Sequence, residues 1–184
     1  MRQKIGPVRT AFFNGFTAKA GQDGGEPRYS SAFIIDPKSQ AAKDLEAAVI
    51  ATAKEKWGEK APAILKKLYE EKRVCFQKAP RTNGDGEPYS GFENAWSLNA
   101  TNKARPTILD RDKTPLTEAD GRPYSGCYVY ALLETWAQDN AYGKRINCTL
   151  RGVQFAKDGD AFGGGTPASE DEFDELEATA DDLV

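Results

Sequence analysis

The alternation of apolar and polar residues predicts a mainly β protein with one helical insert. Residues 8–16 and 29–35 are rich in aromatic and β-branched side chains, and a Gly-rich stretch at 20–27 separates them, as in a β-hairpin. Further short apolar runs, separated by turn-forming residues, predict strands at residues 73–77, 92–99, 107–109, 127–136 and 147–155.

A helical period interrupts this pattern after the second predicted strand. Apolar residues recur every three or four positions over residues 45–57, which is the spacing of one helix face. Ser39 is a suitable N-cap, Gly58 a suitable end, and Pro62 suits the first turn of a second helix. Because the helices do not alternate with strands, a doubly wound sheet is disfavoured. A small barrel and a sandwich both fit, and a five-stranded OB-type barrel over residues 1–157 is the best match in size and strand number.

Charge divides the chain into two parts. Residues 1–157 carry 25 basic and 18 acidic side chains, whereas residues 158–184 carry ten acidic side chains and no Lys or Arg. The second part is also poor in apolar residues and contains a glycine triplet, so we expect a disordered linker and acidic tail that bury too little apolar surface to fold. A basic body with a tethered acidic tail indicates a protein that binds polyanions and regulates that binding.

Two roles are expected for the acidic tail. It can compete with phosphates for the basic body, because a tethered segment acts at an effective concentration on the order of millimolar. It can also recruit partners such as replication or recombination proteins when nucleic acid displaces it. The residues assigned to this partner-binding tail are Glu170, Asp171, Glu172, Phe173, Asp174, Glu175, Glu177, Asp181 and Asp182.

Composition disfavours catalysis. The chain has no histidine, which removes the usual general base and the commonest transition-metal ligand. It has no P-loop or dinucleotide-binding glycine motif, and its three cysteines lack zinc-ribbon spacing. We therefore expect no catalytic residue, metal or cofactor. No apolar run approaches the roughly 18 residues of a membrane span and the start lacks a secretory signal, so we expect a cytoplasmic protein.

Aromatic and basic residues are interleaved on the predicted strands and turns. A groove for single-stranded nucleic acid needs rings on which bases stack and cations that neutralise phosphates. Three sets are predicted to share strand faces: Tyr128 with Tyr130; Phe92, Asn94 and Trp96; and Arg151, Val153 and Phe155. The predicted DNA-binding residues are Arg9, Phe92, Trp96, Lys103, Arg105, Tyr124, Tyr128, Tyr130, Tyr142, Lys144, Arg145 and Arg151.

Two segments resemble a known protein family. Residues 121–129 read GRPYSGCYV, and residues 152–165 read GVQFAKDGDAFGGG and precede the acidic tail. Together with residues 142–144 and 7–9, they resemble phage-encoded single-stranded DNA-binding proteins once classed as a domain of unknown function. The resemblance implies an OB-fold core, binding of single-stranded DNA with little sequence preference in phage replication, recombination or repair inside the bacterial host, and a tail that moderates DNA binding and docks partners.

Three other functions remain open at this point. A strand-annealing recombination mediator would have the same charge pattern and would also pair complementary strands. A virion or interaction protein would use the acidic tail as its active surface and would bind no DNA. A metal-dependent enzyme would need a carboxylate pair, for example Glu93 with Glu134, brought together by the fold. The sequence also leaves open a homo-oligomer.

Overall fold

The computed structural model describes residues 1–21 and 24–162. Over these residues the chain forms β1 (Arg2–Lys19), β2 (Arg28–Ile35), α1 (Gln40–Trp57), α2 (Ala61–Glu70), β3 (Phe76–Gln77), β4 (Trp96–Asn102), β5 (Thr107–Leu109), β6 (Tyr128–Asn140) and β7 (Gly143–Lys157). Neither helix in this part of the chain combines the length and apolar character that a membrane span requires. The acidic tail residues 170–182 lie outside the described part.

The strands close into a barrel. Their order is β3-β4-β2-β1-β6-β7-β5, and an additional pairing joins β4 to β7. Five strands, β4, β2, β1, β6 and β7, therefore form a closed ring, antiparallel except at the β4–β7 seam where Thr101 pairs in parallel with Thr149. This is the five-stranded OB-type barrel that the sequence predicts, and the closure excludes a sandwich.

The first strand is long because it serves both halves of the barrel. Its beginning pairs with β6, from Arg2 opposite Glu134 to Arg9 opposite Tyr128, and its end pairs with β2. Register shifts interrupt it between Ile5 and Val8 and again after Ala11, and such bulges bend a strand around a barrel. The sequence predicts only residues 8–16 of this strand.

The helical insert packs against one end of the barrel. Ser39 caps α1, because its hydroxyl accepts a hydrogen bond from the backbone N–H of Ala42 at 3.2 Å. The apolar side of α1 is buried in the core. Thr52 of α1 shares a buried 3.0 Å hydrogen bond with Thr135 of β6, and the Trp57 indole donates to Asp139 at 2.8 Å. Both predicted helices are present.

Two predicted strand faces are wrong. The predicted strand at 92–99 begins only at Trp96, because the chain turns at Asn94, which has a φ of 59°. Phe92 and Trp96 consequently do not lie on one face. Arg151 likewise does not share a face with Val153 and Phe155, because a register shift at this point of the β6–β7 ladder leaves Arg151 exposed and the other two buried.

Candidate nucleic-acid interface

In barrels of this type, ligands bind over the second and third barrel strands, which here are β2 and β4. The side chains that point inward from them are buried, among them Phe33 and Leu98. The outward positions include Ser30 of β2 and Asn99 of β4, which are polar, and also Ala32 and Ile34 of β2, which pack in a cluster with Phe92 and Phe162. We call this outward surface the β2–β4 face.

An aromatic and cationic cluster rises beside this face. The guanidinium of Arg81 donates a 2.8 Å hydrogen bond to the side-chain carbonyl of Asn99 and lies 4.3 Å from the ring centroid of Phe12. Phe12 contacts the ring of Tyr89 edge to face, with centroids 5.0 Å apart. We call Phe12, Arg81 and Tyr89 the platform. Because the Phe12 and Tyr89 side chains are 41% and 37% exposed, both rings remain available to a planar partner.

The backbone forces Phe12 outward. It lies in the irregular part of β1 between Ala11 and Asn14, and its φ is 49°, which is uncommon for a bulky residue. The hydroxyl of Ser125 accepts the neighbouring backbone N–H of Phe13 at 2.9 Å. This conformation turns the side chain of Phe12 away from the core while Phe13 packs against it. Strain that places a large apolar group in solvent is typical of a binding site.

The platform is anchored by Phe92. This ring is fully buried and packs against Ala11 of β1 and Ala32 of β2. It holds the loop of residues 80–95, which carries Arg81 and Tyr89, onto the outside of the barrel. Partial burial lowers the pKa of the Arg81 guanidinium, because desolvation disfavours its charged form.

Residues 158–162, which we call the strap, lie across the barrel beside β1. The guanidinium of Arg9 donates hydrogen bonds to the backbone carbonyls of Asp160 at 2.7 Å and Gly126 at 3.0 Å. The same guanidinium lies 4.1 Å from the ring centroid of Phe162. Phe162 packs against the cluster formed by Ala11, Ala32 and Phe92. The strap therefore ends on the outward surface of β1 and β2.

The two segments that carry the family resemblance meet at the strap. The backbone N–H of Phe162 donates to the carbonyl of Ser125 at 3.0 Å, and the Tyr124 hydroxyl donates to Asp158 at 2.6 Å. Burial, together with the bond to Asp158, raises the pKa of Tyr124, so this hydroxyl stays a donor. A Cβ at Gly126 would lie 2.1 Å from the Asp160 carbonyl oxygen, so only glycine permits this approach. The shared motif thus encodes strap docking.

The structure distributes the predicted DNA-binding residues over several surfaces. Arg9, Phe92 and Tyr124 hold the strap and the loop of residues 80–95. Lys103 forms a 2.9 Å ion pair with Glu26 near the β1–β2 hairpin, and Arg105 lies 5.7 Å from the ring centroid of Phe16. Arg9 lies opposite Ile34 at one end of the β1–β2 ladder, whereas Lys103 and Arg105 lie toward the hairpin at its other end. As a buried ring, Phe92 supports the platform and offers no stacking surface.

The other predicted residues lie elsewhere. Trp96 packs on the core side, with its ring centroid 5.7 Å from that of Phe76. The tip of the β6–β7 hairpin brings together Tyr142, which is 86% exposed, Lys144 and Arg145. The outward surface of β6 and β7 carries Tyr128, Tyr130 and Arg151. No single surface contains the whole predicted set.

The platform residues are not predicted as a group from the sequence. A signal for it is present at Phe12 and Phe13, since two adjacent aromatic residues in a strand cannot both face the core. Arg81 and Tyr89 lie in a loop without apolar periodicity, and only the fold brings them to Phe12.

The two carboxylates considered for catalysis lie on different elements of the fold. Glu93 lies in the turn before β4, and Glu134 lies in β6, where it is paired with Arg151. Within the described residues, no three Cys, Asp or Glu side chains could hold a metal ion.

Comparison with known proteins identifies the family to which this chain belongs. A family model described as Enterobacter phage Enc34, ssDNA-binding protein, matches residues 1–184. The chain belongs to the Enc34 single-stranded DNA-binding protein family. A further relative in this comparison is the putative protein p50 of Acyrthosiphon pisum secondary endosymbiont phage 1, which is 39% identical over 183 residues and covers 96% of this chain and 94% of its own length.

Solved structures agree with this membership. The single-stranded DNA-binding protein from bacteriophage Enc34 in complex with ssDNA matches with a TM-score of 0.71 and 26% identity, over 88% of this chain and 89% of that chain. The single-stranded DNA-binding protein gp2.5 of bacteriophage T7 matches with a TM-score of 0.55 over 95% of this chain and 98% of that chain. Since the second match is only 12% identical, it shows the barrel fold alone.

Proposed function

We propose that this protein binds single-stranded DNA on the β2–β4 face, with little sequence preference and without catalysis. The platform carries the proposal, because it sets two exposed rings and a guanidinium beside the strands that bind ligands in this fold. The solved Enc34 family member in complex with ssDNA supports the choice of ligand. Bases would stack on Phe12 and Tyr89, and Arg81 would neutralise a phosphate.

Weak sequence preference follows from the kind of contact. Every base has a π-face, so stacking on an exposed ring discriminates little among them. Phosphate neutralisation by Lys and Arg is independent of sequence and weakens with salt. The described body supplies these cations in excess over its acids, since the sequence up to Lys157 has a net charge of +7. Protection of phage single-stranded DNA in the host cytoplasm during replication, recombination or repair is the role that fits this chemistry.

The acidic tail is proposed to compete for the same face. The strap fixes Phe162 against Ala11 and Ala32, on the outward surface of β1 and β2 next to the platform. Glu170 follows Phe162 by eight positions, and a fully extended chain of that length reaches at most about 29 Å. The acidic segment is therefore tethered within reach of the DNA path, where it can occupy cations until DNA displaces it and then recruit basic partner proteins.

The test is a fluorescence-anisotropy titration of a labelled oligo-dT strand across a salt series. It compares the full chain with a chain that ends at Phe162, which keeps the docked strap. We expect salt-sensitive binding by both, tighter at low salt for the shorter chain because its tail no longer competes. Equal affinities would rule out tail competition, and no binding by either at low salt would rule out the DNA-binding function.

A further inference from the structure

The outward surface of β6 has the composition of a binding surface, although it is not the β2–β4 face. Tyr128, Tyr130 and Trp136 all point outward from β6, where they alternate with buried residues such as Val129 and Thr135. From residue 128 to residue 136 the strand rises by about 27 Å. Aromatic rings thus mark both ends of a row that is long enough for several nucleotides.

Two lysines flank the Tyr128 and Tyr130 end of this row. The ammonium group of Lys157 lies 4.6 Å from the ring centroid of Tyr128, and that of Lys4 lies 5.7 Å from the centroid of Tyr130. Both ammonium groups come from the neighbouring strands β7 and β1. We call these two tyrosines, the two lysines, Trp136 and Arg151 the β6 face. A ring beside a cation is the combination that single-stranded nucleic acid requires.

Trp136 is the most open ring of the β6 face. Its side chain is 43% exposed, and the indole N–H donates to the Thr149 hydroxyl at 3.1 Å. This hydrogen bond fixes the ring against β7 and leaves part of it in solvent. A fixed, half-exposed indole loses little conformational freedom when a base stacks on it.

The charge balance of the β6 face favours an anion. Glu134, which lies on the outward side of β6 between Tyr130 and Trp136, already has two cationic partners, Arg151 at 2.7 Å and Arg2 at 4.0 Å. The hydrogen bond from Arg151 holds the pKa of Glu134 below its ordinary value, so this carboxylate stays ionised and paired with Arg151. Within the part of the chain that the structure describes, Lys4 and Lys157 contact rings and form no ion pair with a carboxylate, so their charges can serve phosphates.

The β6 face and the β2–β4 face lie on different strands of the barrel. In the closed ring, β1 lies between β6 and β2 on one side, and β7 lies between β6 and β4 on the other. A short oligonucleotide seated on the platform therefore does not also cover Trp136. The two surfaces are suited to two separate strands, or to two distant parts of one long strand.

We propose that the β6 face is a second binding surface for single-stranded nucleic acid. The occupant is a nucleic-acid strand because the surface alternates rings with cations, whereas an acidic peptide would use the cations alone and a second copy of the basic body would bring like charges together. The inference extends the proposed function, and it gives one molecule a way to hold two complementary strands.

The test counts short oligo-dT strands of about eight nucleotides bound to the full chain at low salt, by native mass spectrometry. The β6 variant is Lys4→Gln/Trp136→Ala/Lys157→Gln, and the platform variant is Phe12→Ala/Arg81→Gln. We expect two strands on the wild type, one on each variant and none on the combined variant. Circular dichroism and the melting temperature establish that each variant is folded.

A second measurement follows the annealing of two complementary strands. We expect the β6 variant to anneal at least about tenfold more slowly than wild type while its affinity for a single short strand at the platform stays unchanged. If the wild type binds one strand, or if the β6 variant loses both strands together, the second surface does not exist. If the wild type is a dimer that the β6 variant dissociates, the β6 face is an interface between copies and the inference is overturned.

Failure of the platform is distinguishable in the same experiment. If the platform variant still binds two strands and the β6 variant binds one, the proposed β2–β4 site is wrong and the β6 face is retained. The loss of Lys4 and Lys157 should also reduce the salt slope of binding by about 0.7 for each phosphate contact removed. An unchanged slope would show that these lysines contact no phosphate.

Discussion

The guanidinium of Arg9 lies 4.1 Å from the ring centroid of Phe162 and donates a 2.7 Å hydrogen bond to the carbonyl of Asp160. These contacts join the first strand of the barrel to the chain that follows the last strand. They also occupy a cation at the edge of the surface that we assign to DNA. Arg9 therefore stabilises strap docking in the free protein, and it becomes available to a phosphate only when the strap leaves.

Phe162→Ala is expected to tighten DNA binding by the full chain about two- to fivefold at low salt. Release of the ring lengthens the tether of the acidic tail, which lowers the tail's effective concentration at the face, and it frees Arg9. The unfolding free energy should fall by about 1–2 kcal/mol, because the ring is only partly buried. Anisotropy titration and thermal unfolding measure the two effects.

The matched control for this substitution is the chain that ends at residue 162. There the tail is already absent, so Phe162→Ala should change affinity less than it does in the full chain. An equal gain in both chains would assign the effect to Arg9 alone. Weaker binding in both would mean that the strap is part of the DNA site and does not compete with it.

Phe12→Ala should weaken binding to oligo-dT about tenfold with little loss of stability. Stacking of one base on an aromatic ring contributes about 1–3 kcal/mol, and the exposed Phe12 side chain contributes little to the core. Tyr89→Phe is the control, since it keeps the second ring of the platform and removes only a hydroxyl. Affinity of Phe12→Ala equal to wild type at several salt concentrations would remove the platform from the DNA path.

The sequence predicts the barrel and its helical insert because both depend on local apolar periodicity. Residues 29–35 and 107–109 are rich in aromatic or β-branched side chains, and β2 and β5 are found there. The ends of β1 are underpredicted because Arg2, Gln3 and Lys4 hold their place by pairing with β6 and not by burial. Pairing across more than a hundred residues leaves no periodic signal in the sequence.

The candidate site is less predictable than the fold. The platform joins Phe12 to a loop about seventy residues away, and the buried Phe92 helps to hold that loop there. The bulge that turns Arg151 outward is a one-residue insertion, which alternation cannot reveal in advance. Gly126 and Gly159 are easier to identify from the sequence, because both lie in the segments that resemble the family. The structure gives the reason for glycine there, since the backbone at these two positions approaches too closely for a Cβ.

Phe92→Ala is expected to be the most destabilising change in the site. Removal of a fully buried Phe ring costs about 3–5 kcal/mol, which corresponds to a fall of about 10 °C or more in melting temperature for a protein of this size. Because Phe92 anchors the loop that carries Arg81 and Tyr89, DNA affinity should fall as well. Differential scanning calorimetry and anisotropy below the new melting temperature separate the two effects.

Phe92→Leu provides the comparison for that experiment. It keeps an apolar anchor of smaller volume, so it should recover much of the stability and most of the DNA affinity. A Phe92→Ala protein with full DNA affinity would show that the platform does not depend on this anchor. A melting temperature within about 2 °C of wild type would contradict the burial of the ring.

The pH dependence of stability should come from carboxylates. The hydrogen bond from Arg122 holds the pKa of Asp110 below its ordinary value of 3.8, and the one from Arg151 lowers that of Glu134 below 4.5. A carboxylate whose pKa is lowered in the folded state stabilises it above the unfolded-state pKa, and this contribution is lost as pH falls through the folded-state value. The chain has no histidine, so no side chain of that kind titrates near neutral pH.

The melting temperature should therefore be nearly constant from about pH 6 to pH 8 and should fall below about pH 4. Asp110→Asn tests the assignment, because it removes a charge whose stabilising effect exists only when the carboxylate is ionised. The variant should melt a few degrees below wild type at pH 7, and the difference should shrink as pH falls below 3.8. A difference that stays constant down to acid pH would assign the effect to lost packing and not to the ion pair with Arg122.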